Sequence, residues 1–327
     1  MGVYHFMGLG RSVGAVTGPL SYLAMRFERW NDQDREFFSL SGEIAQREAG
    51  EKVGDVQALV LFTTPEVYSG QKDGKIFAAS EYIDNQEGMC PTAAPPRPAG
   101  CTRDELRRYL PPIWKRLAKG RPRVDLFWCE VDRTDLLGTF RRAVRVVLAA
   151  KSAGSLGKEI WVNLTGGNNV INIALQLAVE LTGQAARFYY VQAENPTAEK
   201  CLRFAREDGY WVDLPLLPVR AHEASRRVVE LLEREGPADI PTLFTKAREQ
   251  LWQHLQDFPN PKAFETLLVR PLVQQGMLDY GSEGIQIGRR WPLMKPYYET
   301  IDQIRRPVPK LNDLDESWFH REGLELR

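Results

Sequence analysis

"EIWVNLTGGNN" (159–169) decides how this chain is to be read. Glu159-Ile160-Trp161-Val162 has strand character, and a long apolar run begins just after Asn169. Two amides, a hydroxyl and a Gly-Gly pair interrupt these two stretches. A buried strand that ends in such a turn and enters a helix is the repeating unit of an open parallel α/β sheet, whose ligands sit at the carboxyl ends of the strands. Asn168 or Asn169 suits the N-cap of the helix. Gly166 and Gly167 let a ligand approach the backbone, and free N–H groups at a helix start favour an anion such as phosphate. Thr165 adds a hydroxyl, and Asn163 and Asn168 add amides that both donate and accept. In "VINIALQLAVELTG" (170–183) the amide and carboxylate positions, Asn172, Gln176 and Glu180, are spaced by four. That narrow stripe predicts a helix buried on nearly all sides, in the cover layer of the sheet or in a dimer interface.

Outward from this loop, strand-like and helix-like stretches alternate over the first two-thirds of the chain. Strands are expected at 3–7, 56–64, 124–131, 159–165 and 186–194. They are apolar runs, as strands buried on both faces are. A helix is expected over 18–30, with Pro19 in its first turn and Leu20, Leu23, Ala24 and Phe27 on one face. Another begins with the capping-box pattern Thr102…Glu105 and is broken or kinked at Pro111-Pro112. Asp132 or Thr134 suits the cap of the helix after the third strand. The stretches 31–54 and 85–102 read as insertions, the second a Pro-rich surface loop.

The pattern changes near residue 222. "HEASRRVVELLEREG", "PTLFTKAREQLWQHLQDF" and "NPKAFETLLVRPLVQQGMLDY" read as three helices, and "GSEGIQIG" as a short hairpin. Helix–helix–helix–hairpin is the order of a winged helix-turn-helix. The expected organisation is a Rossmann-like domain over 1–215, mostly parallel with helices on both faces. A winged helix-turn-helix follows over 216–290, and a tail over 291–327 packs on a domain or on a dimer partner.

A length of 327 residues suits two domains, and 43% hydrophobic with 26% charged residues is the composition of a globular protein. The formal net charge is zero. Bulk charge therefore gives no case for nucleic acid or membrane binding. No run approaches the ~20 apolar residues of a membrane span, no secretory signal is visible, and a cytoplasmic location is expected. Cys90, Cys101, Cys129 and Cys201 form no CxxC, and no Cys/His spacing suits zinc. Cys90 and Cys101 either close the Pro-rich loop between them or stay free thiols. No cofactor is expected.

The first strand ends in "GLGRSVGAVTG" (8–18), which is neither GxGxxG nor a P-loop. Gly10, Arg11 and Ser12 sit where a phosphate would meet them, and Thr63 ends another strand at the same edge. The combination of this loop with "WVNLTGGNNVINIALQLA" resembles the CARF domain (CRISPR-associated Rossmann fold) over roughly residues 1–200. That family's second motif runs Asp/Asn-x-Ser/Thr-x-x-x-Lys/Arg, and Asn163, Thr165 and Asn169 occupy its three places. Asn169 departs from the pattern, standing where a cation is usual. The resemblance implies a homodimer with a shared cleft for a cyclic oligoadenylate, cyclic tetra-adenylate first, within type III CRISPR defence. It also implies a regulator that relays binding to the winged helix, which either contacts duplex DNA or serves dimerisation and communication. Its alternatives are a metal-independent ring nuclease, and a ribonuclease effector suggested by the Arg-x(4–6)-His spacing of Arg248 and His254. The ligand contacts expected are Gly10, Arg11, Ser12, Thr63, Asn163, Thr165, Gly166, Gly167, Asn168 and Asn169. In the third helix only Lys262 and Arg270 are basic, so Arg289-Arg290 is the better DNA-contact candidate.

Overall fold

In the computed structural model, residues 2–39, 53–86, 100–152, 158–192, 196–203, 211–215, 219–251, 253, 255–256, 258–304 and 308–326 are described. The chain divides into two compact units. The first holds Met1–Glu180, Gln184–Leu216 and Ile304–Arg327, and the second Leu181–Gly183 and Leu217–Gln303.

The first unit is built in the order β1 (Val3–Leu9), α1 (Gly14–Arg29), α2 (Asp32–Ser39), β2 (Val56–Thr63), α3 (Pro65–Ser69), β3 (Gln71–Lys72), β4 (Lys75–Ile76), α4 (Thr102–Leu117), β5 (Arg123–Glu130), α5 (Leu136–Ala150), β6 (Glu159–Asn163), α6 (Asn169–Thr182), β7 (Ala185–Val191) and β8 (Trp211–Leu214). The second follows as α7 (Val219–Glu235), α8 (Ile240–Leu251), α9 (Pro261–Phe264), α10 (Arg270–Gln274), β9 (Leu278–Gly281), β10 (Gly284–Ile287) and α11 (Trp291–Ile304), and β11 (Phe319–Glu325) closes the chain in the first unit.

A seven-stranded sheet runs in the order β11-β5-β2-β1-β6-β7-β8. Its five inner strands are parallel, and β11 and β8 join antiparallel at the two edges. Numbered among themselves, the parallel strands stand 3-2-1-4-5, the doubly wound Rossmann order. The reason lies in the residues: β1 is buried at every position, β2 at all but Gln57, and β5 over residues 126–129, leaving those stretches no face for water. Leu20, Leu23 and Ala24 of α1, Phe38 of α2 and Leu106, Leu110 and Trp114 of α4 fill one face. Right-handed crossovers place α5 and α6 on the other.

Several local expectations are corrected. α1 begins at Gly14, so Pro19 lies inside the helix, not in its first turn. Its missing N–H falls opposite the carbonyl of Ala15, a residue that borders an open cleft. α4 runs unbroken through Pro111-Pro112, because both prolines and the residues four before them, Arg107 and Arg108, lie on its outer, water-facing side. Cys101, not Thr102, is the N-cap residue of that helix, and the Glu105 carboxylate reaches back to the N–H of Gly100 at 3.0 Å. Asp135 caps α5 through the Gly138 N–H at 2.8 Å, displacing Asp132 and Thr134 from that role. Cys101 is a free thiol; its proposed partner Cys90 and most of the Pro-rich loop lie outside the described residues.

The expected tail divides. Residues 291–303 belong to the second unit, whereas β11 returns to the edge of the first and lies along β5 from Phe319↔Cys129 to Glu325↔Arg123. Glu322 of β11 is fixed there by Arg107 at 2.5 Å and the Trp128 indole at 3.2 Å. In the second unit, α7 ends at Gly236, whose positive φ and bond to the Leu232 carbonyl close it. α9 and α10 are joined by a π-helical turn, Glu265–Val269, and β9 and β10 form the short hairpin. Val228, Leu232, Phe244, Phe264 and Trp291 centre the core of that unit.

Candidate functional site

The order of successive strands reverses between the parallel neighbours β1 and β6, the point at which open α/β sheets bind ligands. The two loops singled out in the sequence meet there. They meet so closely that their glycines are steric requirements. A Cβ on Gly166 would stand 2.3 Å from the Gly8 carbonyl oxygen, and one on Gly8 would stand 2.8 Å from the Gly166 oxygen. Gly167 is in the left-handed region at φ +80° and lies against the Gly8 Cα. Gly10 differs, because a Cβ there would meet open space.

Asn163 is fully buried and shapes the turn. Its Oδ1 accepts from the Thr165 N–H at 2.7 Å. The Thr165 hydroxyl accepts from the Val191 N–H at 2.8 Å, which ties the end of β6 to the end of β7 and leaves the hydroxyl proton to be donated. Asn168 is the N-cap of α6, its Oδ1 accepting from the Ile171 N–H at 2.9 Å. Asn172 holds the Leu164 carbonyl from the next turn at 3.2 Å.

Over this junction opens a cleft of about 1210 Å³. Of the residues expected from sequence, Gly10, Arg11, Ser12, Thr165, Gly166 and Gly167 line it. Four do not. Asn163 is buried behind its wall. Thr63 is buried too, with its hydroxyl donating to the Leu9 carbonyl at 2.8 Å, a clasp between β2 and β1. Asn168 and Asn169 turn to the opposite side of the loop, onto neighbouring grooves. Sequence reasoning missed the far wall, made by Ser80-Glu81, Tyr190 to Gln192 and Ala198 to Cys201. No motif marks these segments. They are brought together by the bridge Ile83↔Cys201 and by the Ser80 N–H bond to the Arg11 carbonyl at 2.8 Å. Gly14 is the one trace of it in the sequence, since a Cβ there would strike the Cys201 carbonyl at 2.6 Å.

Beneath the cleft lies a buried polar platform. The His5 ring shares a 2.9 Å hydrogen bond with the Tyr189 hydroxyl. Burial, and then the charge of Arg187, push the His5 pKa down to about 3, so the ring stays neutral. Burial raises that of Tyr189, so the phenol keeps its proton. Arg187 pairs with Asp213 at 2.5 and 2.7 Å and lies over the rings of Phe37, Trp161 and Trp211. These contacts stiffen the floor on which the Thr165 turn stands.

The first unit is thus a Rossmann-like, doubly wound domain with a ligand-sized cleft at its switch point. No family model matches the chain. It is similar to an uncharacterized protein of Archaeoglobus fulgidus, 28% identical over 226 residues. That alignment covers 66% of this chain and 62% of the relative, so the chain spans less than two-thirds of the relative's length. Among solved structures it is similar to Enterococcus italicus Csm6 bound to cyclic hexa-2'-fluoro-hexa-dAMP, at 12% identity and a TM-score of 0.40, over 84% of this chain and 54% of that one. It is also similar to the protein VC1899 from Vibrio cholerae, at 10% identity and a TM-score of 0.28, over 99% of this chain and 76% of that one. Among the described residues no helix is long and apolar enough to cross a membrane.

Proposed function

We propose that the first unit is a CARF-like sensor that holds a cyclic oligoadenylate, cyclic tetra-adenylate first, in the switch-point cleft. The observation that carries this is the Asn163–Thr165 turn. Asn163 spends its amide oxygen on setting the turn, and the turn presents the Thr165 hydroxyl beside Gly166 at the edge of a wide cleft. At about 1210 Å³ the cleft exceeds the roughly 300–1,000 Å³ of ordinary small-molecule sites and suits an oligonucleotide better than a mononucleotide. We infer a regulatory role, in which the ligand is held and its binding relayed, in antiviral defence of the type III CRISPR kind; a metal-independent ring nuclease is the alternative.

We place the partner copy on the outer side of α6, where Ile173 is 47% exposed between half-buried Val170 and Leu177. The sequence expectation of a helix buried almost all round is met only if a second chain covers this stripe. The second unit is read as the winged-helix output module. Arg270 of its third helix is engaged by Glu265 at 3.1 Å, so Arg289 and Arg290, both exposed just after the hairpin, remain the candidate duplex-DNA contacts. The ribonuclease alternative cannot be placed on a site, because His254 lies outside the described residues.

Calorimetric titration with cyclic tetra- and hexa-adenylate, followed by chromatography of the products, tests the assignment. One ring is expected to bind and to be recovered intact. Thr165→Ala should weaken binding about tenfold, the worth of one hydrogen bond to a charged group, and Asn163→Ala should weaken it indirectly, by freeing the turn that presents Thr165. Failure of the wild-type protein to bind either ring would sink the proposal. Ile173→Glu is expected to shift the species seen by analytical ultracentrifugation from dimer to monomer, and an unchanged dimer would remove α6 from the interface.

A further inference from the structure

Charge at the carboxyl edge of the sheet is divided unevenly. In the main cleft Arg11 and Lys200 are matched by Glu81 and Glu199, and Lys200 lies 4.0 Å from Glu81. Arg11 is committed further, its Nε donating to the Ala78 carbonyl at 2.8 Å. That cleft has the shape for an oligonucleotide but no surplus of positive charge for its phosphates.

Gly10, Arg11 and Gly167 form a ridge along one side of it, and beyond the ridge lies a second groove of about 190 Å³. Lys72 and Arg133 border this groove together with Phe77 and Asn168, against a single carboxylate, Glu66. The field of both cations is felt there. The Thr64 hydroxyl first, and Arg133 and Lys72 in addition, hold the Glu66 carboxyl below its usual range. The groove continues onto a shallow face where Arg133 borders Thr134, Asn168, Asn169 and Val170. Arg133 thus shares a surface with the very residue, Asn169, at which the sequence motif lacks its cation.

The Arg133 side chain is exposed. The loop that carries it is braced on both sides. The Asp132 carboxylate accepts from the Thr134 N–H at 2.8 Å and from its hydroxyl at 2.7 Å, and Thr139 donates to the Asp132 carbonyl at 2.9 Å. The Val131 N–H is bound by the Thr63 carbonyl at 2.8 Å. Lys72 comes from the other side, on the hairpin of β3 and β4, whose tight turn at Asp73 and Gly74 has both residues at positive φ.

We propose that this second groove is a phosphate subsite, and that Arg133, with Lys72, supplies in space the positive charge that position 169 lacks in sequence. The oligonucleotide would lie across the Gly10–Gly167 ridge, with its body in the main cleft and a phosphodiester against Arg133. The identity of the ligand rests on the function proposed above; the phosphate chemistry of the groove does not. Guanidinium suits this role because it donates two parallel hydrogen bonds to phosphate oxygens.

The test titrates the full-length wild type, Arg133→Ala, Lys72→Ala and the double variant Arg133→Ala/Asn169→Lys. Three probes are used: cyclic tetra-adenylate, linear 5′-phosphorylated tri-adenylate and inorganic tripolyphosphate. Arg133 is exposed, so its removal should leave the melting temperature unchanged. Arg133→Ala is expected to weaken every probe that the wild type binds by about 10- to 100-fold, and Lys72→Ala by less. Asn169→Lys should restore most of the loss, and the wild type should show the steeper loss of affinity with salt. Tripolyphosphate bound through Arg133 without either oligonucleotide would uphold the subsite and reject the oligoadenylate assignment. A ring bound equally by wild type and Arg133→Ala would uphold that assignment and overturn the subsite. Binding of no probe by the wild type would overturn both.

Discussion

The glycines at the switch point fall into two kinds, although they look alike in the sequence. Gly8, Gly166 and Gly167 form a seam in which backbone packs on backbone, with virtual Cβ contacts of 2.3 to 2.9 Å. Gly10, two residues past Gly8, faces open space and borders both the main cleft and the groove beyond the ridge. The difference teaches that a glycine-rich loop at a binding edge need not be glycine-rich for the ligand. Here most of that composition serves to bring two loops together, and one position is left over to meet whatever binds.

Substitution at the seam should have the largest effect. Gly166→Ala places its Cβ on the Gly8 carbonyl oxygen and 2.9 Å from the Ala15 Cβ, neither of which is the end of a flexible side chain. Overpacking of this kind costs about 1–3 kcal/mol, so the melting temperature should drop by several degrees and ligand binding should be lost with it. A Gly166→Ala protein as stable as wild type would show that the seam is looser than described.

The platform beneath the seam gives the next effect, one that depends on pH. Because the folded-state pKa of His5 is depressed to about 3 from 6.5, the unfolded chain takes up this proton first as pH falls. The stabilisation is complete above pH 6.5 and is lost progressively on acidification towards pH 3. The slope approaches 1.4 kcal/mol per pH unit, about 2 kcal/mol between pH 6.5 and 4.5. Denaturant titrations of wild type and His5→Asn over that range should differ in slope by close to one proton. Equal slopes would mean that His5 is protonated in the fold.

Gly10→Ala should have the smallest effect on the fold and so sharpens the contrast most. With nothing within 4 Å of the new methyl group, stability should change by less than about 0.5 kcal/mol. Oligoadenylate affinity should nevertheless fall, because the methyl group projects where the ligand crosses the ridge. Unchanged affinity would put the bound molecule elsewhere in the cleft.

Much of this was legible in the sequence for identifiable reasons. The five parallel strands announce themselves as apolar runs, since a strand covered on both faces has no polar positions to spare. Helix α6 announces its start through the Asn168 cap. The edge strands do not. β8 has only four residues, and β11 has a mixed sequence, FHREGLE, whose polar side chains find partners such as Asp125 for Arg321 only after the strand has paired with β5. The Pro111-Pro112 pair misled for a related reason. Proline removes one helix hydrogen bond and crowds the carbonyl four residues before it, and in α4 both costs fall on the side where water can satisfy the carbonyls of Arg107 and Arg108, which is a tertiary fact.

The sequence by itself determined the strand–loop–helix grammar, the two loops at the binding edge and the residues that could cap and turn there. Those depend on nearest neighbours: a period, a cap, a glycine. Tertiary structure alone decided which side of the Gly10–Gly167 ridge each polar residue serves. It buried Asn163 and Thr63 as clasps, turned Asn168 and Asn169 away from the main cleft, and set Arg133 beside Asn169 from a strand three positions away in the sheet. Direction and charge at a sheet edge are sums over strands distant in the chain, and no local pattern encodes such a sum.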